Sequence, residues 1–497
     1  MPQRRVAIAG GHVTAIQRTA ATHQATPTAP PTMMAVLVAT FFAAASVAPL
    51  APSSTRLERV NATFSGLQQY FFDATGSFWK ACGQNGGLGD AATNFECVCE
   101  KPGPYCKNCY RWWMAVTMQS LVSLNRAVPG HASLDRTHSL IHSMRKRSPY
   151  TSRAAPSWAY IDDYVWYVLM WMDTYDWLGE SGDLNEAATT LELMAQWGED
   201  LTCGGITWMY PDVDPRKNAI TTLEVVQASA QLGVALAKSA PKRAAQHRAR
   251  ALKLWHFFES VHLLGSDPTL VHDNVTGTAH GLFHCCNGTV APLCEPRGTL
   301  TWSYNQGMLL GAAADLYALT NDTSFLKIGA AVLDAVVTHL TTSTSTSDGN
   351  ATVLREPSSV SLTIATRQCD SSHDPSSSAG GDLFSFKGVF MQQLPRFLAA
   401  AKATLTPEQL AAARKLVADS ADAAWAARVQ PPFPESDVCN EFRKSPPPSG
   451  SPPKFTWDFE PLPDGGALTC MDARTQAQAL SLFVADVRME QLFGPRE

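Results

Sequence analysis

The amino-acid sequence predicts an all-α fold, and three observations support this prediction. Apolar residues recur with helical spacing in ten segments, whereas patterns typical of strands are sparse. Hydrophobic residues make up 45% of the 497 residues and charged residues 17%, so the chain can bury a large core. Pairs of helices joined by short polar turns recur, and such pairs bury their faces against neighbouring pairs. The repeat alone is compatible with an open solenoid or a closed barrel.

The ten predicted helices occupy most of the chain after residue 110. They cover residues 110–127, 163–178, 184–197, 221–238, 244–264, 305–320, 324–340, 387–401, 406–429 and 475–492. Residues 175–188 and 316–330 show the pairing best, because each contains a helix end, a polar turn and the start of an apolar partner. Polar loops over residues 341–352, 369–381 and 431–454 are predicted as surface excursions, since helical sequence resumes after each.

The N-terminal region predicts entry into the secretory pathway. Residues 1–32 are basic and contain no acidic residue, and residues 33–51 form an apolar run that ends in small residues. This run resembles the hydrophobic part of a signal peptide with a cleavage site near Ala45 or Ala48. The alternatives are initiation at the start of the run, an uncleaved membrane anchor, and a mitochondrial or plastid transit peptide.

Sequons and cysteines favour the same compartment. The 12 cysteines are even in number and are interpreted mostly as disulfides, although their pairing cannot be deduced from sequence. Residues 97–109 contain two cysteine pairs with zinc-like spacing. A second candidate zinc set consists of His284, Cys285, Cys286 and Cys294. An oxidising compartment favours disulfides at both places. The sequence has five N-glycosylation sequons, at Asn61, Asn274, Asn287, Asn321 and Asn350.

Charge argues against one broad class of function. The net charge is −5 and the pI about 6.2, with no basic stripe of the kind that nucleic-acid-binding proteins carry. The 13 Trp and 11 Tyr residues are plentiful, and several cluster with Asp and Asn. This composition suits either sugar binding or a large aromatic core.

The most distinctive stretch is residues 160–179, which read YIDDYVWYVLMWMDTYDWLG. Asp162 and Asp163 open an apolar, aromatic-rich helix that ends at Gly179. Acidic residues are favoured at a helix start because the exposed N–H groups there are partly positive, so the pair could serve only as a cap. Two carboxylates beside aromatic rings are also the minimum equipment for cleaving a glycosidic bond.

Three further polar and aromatic motifs precede or begin predicted helices. They are CGGITWMY at residues 203–210 followed by Lys217 and Asn218, TWSYNQG at residues 301–307, and FSFKG at residues 384–388. Helix starts in a helical toroid lie on one rim, so these motifs and the two aspartates could converge on one cleft. Taken singly, Trp208 is more typical of a core, Asn305 of a helix cap and Lys387 of a solvated surface charge.

Together the four motifs resemble glycoside hydrolase family 76, the endo-α-1,6-mannanases and their fungal cell-wall relatives. The matching blocks are DDxxW at 162–166, GGIxW at 204–208, WSYNQG at 302–307 and FKG at 386–388. The resemblance extends from about residue 105 to 485 and implies an (α/α)6 barrel. It also implies a retaining mechanism with Asp162 as nucleophile and Asp163 as general acid/base.

The physical chemistry of adjacent aspartates agrees with these roles. Retaining glycosidases hold their two carboxyl groups about 5–5.5 Å apart, and neighbouring Cα atoms lie about 3.8 Å apart, so adjacent side chains can reach that separation. Repulsion between the two carboxyl groups is expected to raise one pKa, and desolvation by Tyr160, Tyr164 and Trp166 is expected to raise it further.

The sequence therefore predicts a leader at residues 1–55 and one catalytic domain at residues 60–490, with loop insertions near 341–381 and 431–456. The expected enzyme is a secreted or cell-surface monomer that cleaves α-1,6-mannan and needs no cofactor or metal. The alternatives are a transglycosylase of the same fold, a zinc enzyme, a glycan-binding protein without turnover, and a scaffold of helical pairs. The predicted sugar contacts are Trp208, Asn218, Tyr304, Asn305, Gln306 and Lys387.

Overall fold

A computed structural model gives the arrangement of most of the chain. It describes residues 52–73, 78–79, 112–147, 159–199, 204–210, 217–275, 300–346, 349–357, 379–431, 450–455 and 473–495. These residues belong to one compact unit, Pro49–Glu497. The predicted leader up to residue 51, the sequon at Asn287 and all twelve cysteines lie outside the described residues.

The described part of the chain contains twelve α-helices. They are α1 (Ser54–Gly66), α2 (Trp112–Ala127), α3 (Leu134–Arg147), α4 (Ile161–Leu178), α5 (Ser181–Gly198), α6 (Ala219–Ala235), α7 (Pro241–Ser260), α8 (Ser303–Thr320), α9 (Ser324–His339), α10 (Ala379–Ala401), α11 (Pro407–Ala426) and α12 (Ala473–Phe493). A π-helical turn, Leu67–Phe71, follows α1. Across these ranges, no helix is both long and apolar enough to cross a membrane.

Six of the helices form a closed inner ring. In the order α2, α4, α6, α8, α10 and α12, each contacts the next, and α12 contacts α2. The remaining six lie outside: α3 packs on α2, α5 on α4, α7 on α6, α9 on α8, and both α1 and α11 on α12. This arrangement confirms the predicted all-α fold and resolves the alternatives in favour of an (α/α)6 barrel.

The inner helices are apolar on nearly every face because each is enclosed by neighbours, as α6 illustrates. Every α6 residue from Ala219 to Gly233 is buried. Close approach of inner helices also requires small residues. A Cβ atom on Gly307 of α8 would lie 2.5 Å from the Cα of Phe390 in α10. Glycine at this point lets the N-terminal halves of α8 and α10 lie side by side.

All six inner helices begin at the same end of the barrel. Aromatic rings join the N-terminal parts of four of them: Tyr304 of α8 stacks on Phe386 of α10 at 3.8 Å, Phe386 lies 6.2 Å from Trp112 of α2, and Trp112 lies 5.6 Å from Trp166 of α4. The Gln478 side chain of α12 accepts a hydrogen bond from the backbone of α10. Asn218, which precedes α6, is linked to α8 through the segment between α7 and α8, as described below.

Half-buried charges, a buried aspartate and buried amides join the opposite ends of the inner helices. Arg396 of α10 donates to Asp315 of α8 at 2.9 Å and to Asp173 of α4 at 3.2 Å. Gln227 and Gln231 of α6 donate to the second oxygen of Asp315 at 3.0 and 2.9 Å. Burial raises the pKa of Asp173 to about 6, although the neighbouring guanidinium of Arg396 opposes that rise.

The ten predicted helices are all present, and two helices were not predicted. These are α1 and α3, which lie outside the ring and need only a narrow apolar stripe. In α3 that stripe is Leu140, Ile141 and Met144 among Ser, His, Arg and Lys. Helix α1 (Ser54–Gly66) spans residue 60, where the predicted catalytic domain begins.

The predicted polar loop over residues 341–352 is wrong, because this segment forms a hairpin. Strands β7 (Thr341–Thr346) and β8 (Gly349–Leu354) pair antiparallel. Ala351 and Val353 alternate inward and are buried. The backbone N–H of Leu354 donates to Ser420 of α11 at 3.2 Å. Threonine-rich sequence satisfies strand geometry because its β-branched side chains fit a pleated surface, although its polarity is typical of a loop.

Three shorter antiparallel pairs complete the described strands. Strand β1 (Phe72–Asp73) pairs with β2 (Phe78–Trp79), β3 (Ala159–Tyr160) with β4 (Met209–Tyr210), and β5 (Lys217–Asn218) with β6 (Asn274–Val275). The second and third pairs lie directly before α4 and α6, so they determine where these inner helices begin.

Candidate active site

The two adjacent aspartates lie in the first turn of α4, where the chain passes from β3 into the helix. Strand β3 is tied to β4 by antiparallel pairing, and the backbone N–H of Ile161 donates to the carbonyl of Trp208 at 2.8 Å. Asp162 and Asp163 are both half-buried. Neither residue is the N-cap, since that position is Tyr160, whose side chain makes no capping hydrogen bond. The pair therefore lies inside the helix start and next to Trp208.

Both carboxylate oxygens of Asp162 accept a hydrogen bond. The indole Nε1–H of Trp208 donates to Oδ2 at 2.9 Å, and the backbone N–H of Asp163 donates to Oδ1 at 2.9 Å. The Trp208 ring is itself held against Tyr160, with ring centroids 4.7 Å apart. Hydrogen bonds donated to a carboxylate favour its ionised form, so this geometry suits an oriented anion.

Two consecutive glycines bring Trp208 back to the start of α4. Gly204 and Gly205 have φ angles of 75° and 71°, in the region that favours glycine. A Cβ atom on Gly205 would also lie 2.5 Å from the ring of Phe257. The GGIxW motif is thus explained physically: the glycines make the turn, and the turn delivers the indole to Asp162.

A second cluster surrounds Asp273, in the segment between α7 and α8. The backbone carbonyl of Asp273 accepts from Ala219 at the start of α6 at 2.8 Å. Its Oδ1 accepts from the Asn305 amide at 3.1 Å and lies 3.5 Å from the Tyr304 hydroxyl. Asn218 pairs with Asn274 across β5 and β6. Asp273 thus joins the starts of α6 and α8, and brings three of the predicted residues together: Asn218, Tyr304 and Asn305.

Sequence reasoning missed Asp273 because it lies outside the four motifs. It follows a short polar segment and immediately precedes the sequon at Asn274, so it has the local features of a loop residue. The side chain of Asn274 donates to Asp273 Oδ2 at 2.9 Å, and its own oxygen is buried. The sequence alone does not reveal that Asp273 contacts the amide of Asn305, because this contact exists only when α6 and α8 lie side by side.

Gln306, one of the predicted sugar contacts, bonds to the backbone of the segment that precedes Asp273. It is fully buried, and its amide pairs with the backbone of Val271 in both directions, accepting at 2.8 Å and donating at 2.9 Å. It also donates to the carbonyl of Trp302 at 3.1 Å. The side chain therefore fixes the segment that carries Asp273.

Lys387 is fully buried, in contrast to the solvated charge that its residue type alone suggests. Its neighbour Phe386 stacks on Tyr304, and the Lys387 backbone N–H donates to Gln478 at 3.1 Å. The FKG motif thus lies against the WSYNQG motif and α12. Among the six predicted sugar contacts, the half-buried ones are Trp208 and Tyr304, whereas the other four are buried.

A third carboxyl group, Glu224, lies near the aspartate pair and was also missed. It is fully buried, and neither of its oxygens has a hydrogen-bond partner. Burial raises its pKa well above the ordinary value, and the negative charges of Asp162 and Asp163 raise it further. Burial and these two charges therefore favour the neutral form of Glu224. The signal was present in the sequence, because Glu224 is the only charged residue among the 17 residues of α6.

Where side chains are described, no group of three or more His, Cys, Asp or Glu residues is placed to hold a metal ion. The candidate zinc ligands Cys285, Cys286 and Cys294 lie outside the described residues.

Comparison with known proteins identifies the family. The family model for glycosyl hydrolase family 76 matches residues 58–439. A comparison with curated proteins finds no match. Several solved structures share the fold at low sequence identity.

One is the family 76 mannosidase Bt3792 from Bacteroides thetaiotaomicron, with 15% identity, a TM-score of 0.59, and coverage of 88% of this chain and 99% of that one. Another is an inactive variant of the α-1,6-mannanase GH76A from Salegentibacter, with 16% identity, a TM-score of 0.58, and coverage of 88% and 99%. Dfg5 from Chaetomium thermophilum is similar at 16% identity, with a TM-score of 0.56 and coverage of 89% and 92%. Because the family model spans well over half of the chain, the protein belongs to glycosyl hydrolase family 76 and is a glycoside hydrolase.

Proposed function

We propose that the protein cleaves α-1,6-mannosidic linkages, in mannan-type polysaccharide or glycoprotein glycans, with retention of anomeric configuration. The observation that carries the proposal is the adjacent pair at the start of α4, in which Asp162 is oriented by two donated hydrogen bonds. The Salegentibacter mannanase supports it: two adjacent aspartates are replaced in its inactive variant, which was solved with α-1,6-mannotetrose.

In the proposed reaction, the Asp162 carboxylate attacks the anomeric carbon while Asp163 gives its proton to the departing glycosidic oxygen. A covalent glycosyl-enzyme forms, and Asp163, now ionised, removes a proton from the water that hydrolyses it. The donors from Trp208 and the Asp163 backbone suit Asp162 to the nucleophile's role, because a nucleophile must be ionised and held in place. No cofactor takes part in this scheme.

The sugar contacts are proposed from exposure and hydrogen bonding. Trp208 and Tyr304 present half-buried rings that can cover apolar sugar faces. Asp273 has carboxylate lone pairs that can accept from sugar hydroxyls while Asn305 fixes its orientation. Asn218 and Lys387 are proposed to shape the wall behind these groups, and Gln306 to support it.

The same chemistry allows a second outcome. A sugar hydroxyl that replaces water as the acceptor would give transglycosylation, as in the transglycosylase alternative. The similarity to Dfg5, which was solved with glucosamine, makes sugar hydroxyls an acceptor class to test.

We also propose that the protein is secreted, disulfide-bonded and monomeric. The sequon residues Asn61, Asn321 and Asn350 are exposed, as glycosylation requires.

The test is incubation of the full chain with linear α-1,6-mannan oligosaccharides, with products resolved by size and by anomeric form. Wild type is expected to release α-configured products, and longer products would reveal transfer. Asp162→Asn and Asp163→Asn should both lose turnover, while Asp322→Asn, at an exposed turn, should not. Inversion of configuration, or full activity in either aspartate variant, would refute the proposed mechanism.

The two roles can be separated with an activated aryl mannoside. Its leaving group needs no proton, so Asp163→Ala should still form the glycosyl-enzyme. Added azide should then restore turnover, because it attacks the glycosyl-enzyme in place of water without needing a base, and it should give a glycosyl azide of retained configuration. Asp162→Ala should form no glycosyl-enzyme, so any azide product it gives should have inverted configuration. Azide rescue of the Asp162 variant with retained configuration would reverse the assignment.

A further inference from the structure

Helix α6 carries a row of polar side chains toward the mouth of the barrel. Asn218 precedes the helix, and Thr221 and Glu224 follow at intervals of three residues, so the three share one face. Each has at least one buried polar atom without a hydrogen-bond partner: Asn218 Oδ1, Thr221 Oγ1 and both oxygens of Glu224. Unpaired buried groups destabilise a fold, so a row of them on one face indicates a function that depends on them.

Glu224 lies within electrostatic reach of the aspartate pair. Helix α6 packs along α4, its neighbour in the inner ring. The two charged groups that act on Glu224 are Asp162 and Asp163, and both favour its neutral form. In its neutral form the buried, unpaired Glu224 carboxyl group offers one hydrogen-bond donor on the helix that packs against α4.

A neutral donor suits this chemistry better than a cation. A lysine or arginine at this position would favour the ionised forms of both aspartates and so deprive the general acid of its proton. A third ionised carboxylate would repel both aspartates. A protonated carboxylic acid donates one hydrogen bond without adding charge, so it can stabilise one ionised aspartate while the other stays protonated.

We propose that Glu224 is a positioning residue that donates its carboxyl O–H to whichever member of the Asp162–Asp163 pair is ionised. This role rests on the proposed function. The hydrogen bond forms when substrate closes the site, since contacts of this kind are often loose in a free enzyme and tighten with substrate bound. The unpaired state of Glu224 in the free protein is the cost of having this donor available.

The test compares two substitutions that differ only in donor ability. Glu224→Gln keeps a neutral donor of similar size, and Glu224→Met removes it at similar volume. Ser229→Ala is the matched control, because Ser229 is another buried, unpaired polar residue of α6. Turnover of α-1,6-mannan oligosaccharides is measured against pH, together with melting temperature.

We expect Glu224→Met to melt above wild type, since an unpaired buried group is gone, yet to lose about 10-fold to 100-fold in kcat with little change in KM. The acid limb of its pH profile should move to higher pH, because the donor that stabilises the ionised aspartate is missing. Glu224→Gln should retain most of kcat and the wild-type acid limb. Ser229→Ala should gain stability with unchanged kinetics.

Two results would overturn the proposal. Wild-type kcat and acid limb in Glu224→Met would mean that Glu224 is only a buried acid, and equal losses in the Gln and Met variants would mean that a neutral donor does not suffice. If Glu224→Met does not fold, infrared spectra test whether Glu224 carries a proton at neutral pH. The spectrum of wild type must then show the carbonyl band of a protonated carboxylic acid, and the spectrum of Glu224→Gln must lack that band; without this difference the proposal fails. Wild type without any turnover would instead refute the proposed function itself.

Discussion

Removal of the indole donor at Trp208 should change how activity depends on pH. Trp208→Phe keeps a flat ring against Tyr160 and deletes the Nε1–H that lies 2.9 Å from Asp162. A hydrogen bond to a charged group contributes about 1.5–3 kcal/mol, and 1.36 kcal/mol corresponds to one pH unit in a titration. The acid limb of kcat/KM, which reports ionisation of the nucleophile in the free enzyme, should therefore move up by about one to two pH units.

The assay is kcat/KM on α-1,6-mannan oligosaccharides across the acid range, with the melting temperature recorded for each protein. Trp197→Phe is the matched control. The Trp197 ring packs on Tyr210 of β4, with ring centroids 5.7 Å apart, so it is also close to the β3–β4 pair. Among the described contacts, its indole N–H is not donated to Asp162 or Asp163. Its acid limb should match wild type. An unchanged acid limb in a stable Trp208→Phe variant would refute the argument that this hydrogen bond maintains the charged state of Asp162.

Three further predictions concern the frame around the site. Arg396→Met should lower the free energy of unfolding by about 1.5–3 kcal/mol at pH 8, because it leaves Asp315 and the half-buried Asp173 without their cation. The loss should be smaller at pH 5, where Asp173 is largely protonated, and urea unfolding with equal losses at both pH values would contradict this. In wild type, the pKa of Asp173 is raised from 3.8 to about 6, so the folded protein holds this proton more tightly than the unfolded chain does. The free energy of unfolding should therefore fall by about 3 kcal/mol in total as pH rises between these two values. Asp173→Asn should lack that part of the slope, and an unchanged slope would place the titration elsewhere. Gly205→Ala should lower both melting temperature and activity, because φ is 71° and the new Cβ meets Phe257 at 2.5 Å, whereas Gly182→Ala, with open space around it, should do neither.

The helices and the convergence of the motifs could be predicted from sequence because both follow from local pattern. Apolar periodicity identifies a buried helix wherever it occurs, and inner helices of a barrel are apolar on nearly every face. The aspartate pair, GGIxW and WSYNQG each begin or precede such a helix, and FKG lies in the N-terminal half of α10, so the common orientation of the inner ring brings them to one end. For this reason Asp162 and Trp208, 46 positions apart, could be predicted to meet.

The parts that could not be predicted depend on which segments become neighbours. Gln306 is buried because its amide fits the backbone of Val271, and no local feature of WSYNQG indicates that partner. Asp273 gains its place only when α6 and α8 are adjacent. The hairpin at β7 and β8 was missed because threonine is polar in composition but favours a strand when one face is covered, here by α11.

The common direction of the six inner helices also gives the barrel an electric polarity along its axis. Every aligned peptide dipole adds to a macrodipole that is positive at the helix N-terminus and negative at the C-terminus. The positive poles meet at the end where Asp162, Asp163 and Asp273 lie, and the negative poles meet near Arg396 and its partners. The backbone itself therefore contributes to holding anions at one end of the barrel and cations at the other.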